Sequence, residues 1–129
     1  MGIFDLFKKK ERLTPEEKLN KLWDMWAEGK APIPCAALMT YESEVNNGGH
    51  DQYFFNVNET GNVQSEVETV LSLLPEVLKG NLQRAWDAYQ SCPDAEDEND
   101  DLFSECDDVF YANEQPLIDL IQNYANDLY

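Results

Sequence analysis

One histidine, His50, stands between Gly49 and Asp51, six residues after Glu44. An imidazole near two carboxylates is the minimum for general acid–base work, because histidine titrates near neutral pH and a carboxylate can orient it or complete a ligand set. Nothing else in the chain extends that constellation. A single histidine rules out multi-histidine metal centres, and no GxSxG, HExxH or phosphate-binding Gly-Lys loop occurs. A lone histidine beside glycines at a helix start is more often packed or solvated than catalytic. The chain is therefore expected not to be an enzyme, and to have no catalytic residue, cofactor or metal site. An acid–base or metal-dependent enzyme around Glu44, His50 and Asp51 is the minor alternative.

The other chemically expressive stretch is acidic. Asp94 to Glu114 carries ten acids and no base. Its Asp97-x-Asn99-x-Asp101 run imitates the opening of a calcium loop, with Asp108 at the twelfth position. However, Leu102 occupies the sixth place, where the sharp turn requires Gly, and the twelfth lacks the bidentate Glu. The array reads instead as a charged surface. Asp101, Glu105 and Asp108 fall about one helical turn apart, opposite Leu102, Cys106 and Phe110. Repulsion between like charges at this spacing costs a few tenths of a kcal/mol per pair, so the array is kept either for solubility or for an electrostatic purpose. Asp94, Glu96, Asp97, Glu98, Asp100, Asp101, Glu105, Asp107 and Asp108 are the candidate partner-binding residues.

Charge is divided along the whole chain. Residues 1 to 30 hold seven Lys and Arg against six acids, whereas residues 31 to 129 hold twenty acids against Lys79 and Arg84, for a net of −17. Such a body repels nucleic acid and anionic membrane and attracts basic protein surfaces. Cys35, Cys92 and Cys106 form no CxxC or zinc-ligand spacing, which fits a reducing cytoplasm. No apolar run is long enough for a membrane span. Ile3, Phe4, Leu6 and Phe7, backed by Lys8 to Lys10, mark residues 1–13 as an amphipathic helical arm on a single domain covering 14–129.

Helical periodicity fills that domain. Thr14-Pro15-Glu16-Glu17 reads as a capping box opening a helix through Leu19, Leu22, Trp23 and Trp26, with Gly29 as the stop. A second helix carries Ala37, Leu38, Tyr41 and Val45 and ends at Asn46-Asn47-Gly48-Gly49, followed by a short one through Tyr53 and Phe54. Asn58 to Asn62 reads as a loop, Ser65 with Glu68 as a second capping box, Pro75 as a split and Gly80 as a helix end. After Leu82 to Tyr89, residues 91–101 read as a turn and acidic run. Asn113 is expected to cap a last helix tolerating Pro116 in its first turn. No alternating strand is found. The fold class is all-α, about six to seven helices in one compact domain.

Residues 44–56 contain Glu44, Asn47, Gly48, Gly49, Gln52, Tyr53, Phe54 and Asn56 in the register E-x-x-N-G-G-x-x-Q-Y-F-x-N. This resembles the signature of the DMP19-like family of small bacterial proteins, over roughly residues 16 to 127. The resemblance implies an all-α fold and, from the member that typifies the family, action as a DNA mimic on the DNA-binding face of a basic regulator. The motif itself, with Asn46 included, reads as mainly structural: glycines for the turn, amide side chains for backbone groups, aromatics for the core. A compact domain of this length spans about 35 Å, one turn of duplex with roughly 20 phosphates, so the charge is of the right order for mimicry.

Two binding readings follow. The first is a cytoplasmic acidic interaction protein that occupies the DNA-binding surface of a basic regulator. The second is an immunity-type inhibitor covering a basic toxin nuclease. Both take a basic protein surface as partner rather than nucleic acid, and a homodimer is compatible with either.

Overall fold

The computed structural model describes residues 13–91 and 96–129. The expected arm falls almost wholly on residues outside these. Six helices are described: α1 (Pro15–Ala27), α2 (Ile33–Glu59), α3 (Val63–Leu73), α4 (Glu76–Ser91), α5 (Glu96–Ala112) and α6 (Gln115–Leu128), with no strand among the described residues.

The helix ends are set by local chemistry. Thr14 Oγ1 accepts from the Glu17 amide at 3.1 Å and the Thr14 amide donates back to Glu17 at 3.2 Å, closing the expected capping box. At the other end of α1, Gly29 adopts φ 74°, while its amide and that of Lys30 donate to the Trp26 and Met25 carbonyls. This left-handed closure is one that glycine enters without steric cost. Pro75 separates α3 from α4 as its missing N–H requires.

Five boundaries differ from expectation, the first being that α2 continues through Asn58 and Glu59, so the expected loop starts only at Thr60. Asn62, not Ser65, caps α3: its side chain accepts from the Ser65 amide at 3.3 Å, and Glu68 instead takes a hydrogen bond from Gln64. The earlier start brings Val63 against the core. Gly80 does not end α4. It sits on an open face, and the burial of Leu78, Leu82 and Ala85 around it outweighs a propensity cost of about 1 kcal/mol. The expected turn and acidic run becomes helical from Glu96. Asn113 donates back to the Val109 carbonyl at 2.8 Å and so closes α5, leaving Glu114 at the start of α6 without a side-chain cap.

α2 is the central element. It packs against α3 and α5, and less extensively against α6 and α1, while α1 pairs with α6 and α4 with α5. Tyr41, Tyr53, Phe54 and Phe110 are fully buried at the middle. Tyr41 meets Tyr53 and Phe110 edge-on at 5.0 and 5.5 Å, and Phe54 stacks on Tyr89 at 4.8 Å. Cys35 and Cys106 are buried, unpaired fillers.

Candidate protein-interaction surface

Within α2 the Asn-Asn-Gly-Gly segment interrupts the helix, as its composition requires. Gly49 has φ 81° and ψ −176°, and two helical arms meet there. A polar clasp holds the arms. Glu44 on the first arm accepts from Gln52 Nε2 at 3.0 Å and from Asn56 Nδ2, both on the second. A side chain at Gly48 would collide with Gln52, and one at Gly49 with the Asp107 carboxylate. Packing therefore fixes both glycines, and at Gly49 the positive φ does so as well. Tyr53 and Phe54 point inward from the second arm, whereas Asn46 and Asn47 are exposed.

Asp107 is the third part of this clasp. Its Oδ1 accepts from the His50 amide at 2.9 Å and from His50 Nδ1 at 2.6 Å. Coming from α5, it caps the N-terminus of the second arm of α2, where a carboxylate meets both an orphan N–H and the favourable helix dipole. The carboxylate only accepts, which places a proton on Nδ1. The other ring nitrogen lies 2.7 Å from the Tyr41 hydroxyl. His50 is fully buried with both nitrogens engaged. Glu44 is committed to the clasp and Asp51 faces outward, so the fold does not assemble Glu44, His50 and Asp51 into one accessible site. Among the described residues, no cluster of three His, Cys, Asp or Glu side chains has the disposition of a metal site.

α5 also presents the acidic face. Phe103, Cys106 and Phe110 are buried, and the Asn81 amide anchors this side by donating to the Cys106 carbonyl at 2.8 Å. Asp100, Asp101, Glu105 and Asp108 are exposed. The helix runs antiparallel to the α2 arms: Asp100 lies towards Asp51, Asp107 meets His50, and the Tyr111 hydroxyl donates to the Val45 carbonyl at 3.0 Å. Burial first, and then the neighbouring Asp100 and Asp107 carboxylates, push the Asp51 carboxyl above its usual range. Asp51 thus joins an acidic surface built from two helices. Arg84 pairs with Glu105 at 2.7 Å, but both are more than half exposed and solvent screens the pair.

Of the nine acids expected to face a partner, four stand outward on α5 and Asp107 turns inward. Glu96, Asp97 and Glu98 occupy the first turn of that helix, their side chains outside the described residues. Asp94 lies outside them altogether. Sequence reasoning missed Tyr41 and the inward role of Asp107, since the bonding partners of His50 stand nine and 57 residues away. The available signal was Tyr53 and Phe54, three and four residues on, which set His50 on the apolar side of its helical arm.

Residues 34–128 match the family model described as DMP19-like protein. No curated protein and no solved structure matches the chain.

Proposed function

The chain belongs to the DMP19-like family, and on that premise we propose that it is a non-catalytic interaction protein whose acidic face occupies the DNA-binding surface of a basic regulatory protein. The face comprises Asp51, Asp100, Asp101, Glu105 and Asp108. The observation that carries this reading is the exposure of these five carboxylates from two helices, with the charge of Asp100 felt at Asp51. Such a field steers basic partners and repels nucleic acid. The burial of His50, with both nitrogens bonded, supports a bracing role for the motif rather than a chemical one. Fold and family alone do not carry a partner, so the charge on this face bears the proposal.

The test is capture from native lysate at low and high salt, with and without competitor duplex DNA, and identification of what is retained. The reading expects a DNA-binding protein that is released both by salt and by DNA. Retention that ignores both would overturn it.

A further inference from the structure

We propose that Glu42, held against Glu114 by Asn46, forms a pH-operated latch between α2 and the start of α6. The geometry rests on Asn46, whose Nδ2 lies 2.8 Å from Glu42 Oε1 and 2.6 Å from Glu114 Oε2. The same nitrogen lies 2.9 Å from the Glu42 carbonyl, so one amide with two protons serves three acceptors. Two carboxyl groups gathered on one nitrogen are necessarily close to each other. Neither has a cationic partner among the described residues.

The surroundings oppose ionisation of Glu42. Glu42 forms part of the wall of a cavity of about 200 Å³ otherwise lined by Leu19 and Trp23 of α1 and Ile118 and Ile121 of α6. From α5, the Tyr111 hydroxyl feels the charges of Asp107, Glu114 and Asp108. Burial, followed by the hydrogen bond and then the charge of Glu114, pushes the Glu42 carboxyl up to about 7. When the proton is present, the Glu42 O–H donates to the Glu114 carboxylate and the latch is closed. When it leaves, two like charges face each other at an α6 start that has no side-chain cap of its own. The folded state holds this proton more tightly than the unfolded chain does. The latch therefore contributes its full stability below about pH 4.5 and loses it as pH rises through about 7.

The experiment is amide hydrogen exchange on the full chain at pH 5.5 and 8.5, expressed as protection factors. Protection across residues 117–121 is expected to fall about tenfold at the higher pH, the equivalent of one pKa unit of lost interaction, while residues 67–71 of α3 change little. Glu42→Gln keeps a donor to Glu114 but does not titrate, so it should abolish the pH response. Glu114→Gln leaves Glu42 buried and titrating but removes the charge it faces, so it should diminish the response, and it provides a second route if the first variant is poorly folded. Equal protection at both pH values in the unaltered chain, or an undiminished response in a folded Gln variant, overturns the latch.

Discussion

Asp107 and Asp108 are adjacent in sequence and belong to different parts of the molecule. Asp107 reaches across to the kink in α2, where it caps a helical arm and holds a buried histidine. Asp108 stands in solvent on the acidic face with Asp101 and Glu105. The contrast extends to the two regions they represent. The Gly-Gly clasp consists of inward polar groups whose partners are all within the chain. The acidic face consists of outward carboxylates, of which Glu105 alone has a basic partner among the described residues. One region turns its polarity into the fold, and the other turns it to solvent. This teaches that residue type and position in an acidic run do not define the surface; the side of the helix does.

Substitutions can break that contrast, beginning at the clasp. Gly49→Ala forces a side chain into a positive-φ position against the Asp107 carboxylate, and should cost about 2–4 kcal/mol in chemical denaturation. A loss below 1 kcal/mol would show that the kink relaxes freely. Next, Asp107→Ala leaves the amide and ring N–H of buried His50 without an acceptor, at a cost of about 2–3 kcal/mol. The neighbouring Asp108→Ala should remain within about 0.5 kcal/mol of the unaltered protein. Similar losses for the two would erase the distinction between the regions. Arg84→Ala is the smallest test: its exposed pair with Glu105 should contribute less than about 0.5 kcal/mol, measured in the same denaturation series.

Features determined by a few adjacent residues were legible in the sequence. The Thr14–Glu17 box, the Gly29 stop, the split at Pro75 and the break at Gly48-Gly49 each follow from local backbone chemistry. The all-α class followed from the apolar period of these segments. Gly80 was misleading because burial on the opposite side of α4 decides that helix, and burial is tertiary. Ser65 was a plausible cap that lost to Asn62 three residues earlier. In the site, the motif announced its turn but not its partner. Asp107 and Gly49 are far apart along the chain, and nothing in an acidic run marks which carboxylate faces inward. The outward positions of Asp101, Glu105 and Asp108 were legible because their spacing opposes the apolar residues of the same helix.

The central claim is that the outward carboxylates alone carry recognition. It is tested most directly by comparing, at low salt, the binding of the captured DNA-binding protein to the unaltered chain and to an Asp100→Asn, Asp101→Asn, Glu105→Gln, Asp108→Asn variant. The variant should fold with an unchanged denaturation midpoint, to within about 0.5 kcal/mol, and bind at least about tenfold more weakly with a shallower salt dependence. Unchanged affinity in a folded variant would contradict the account.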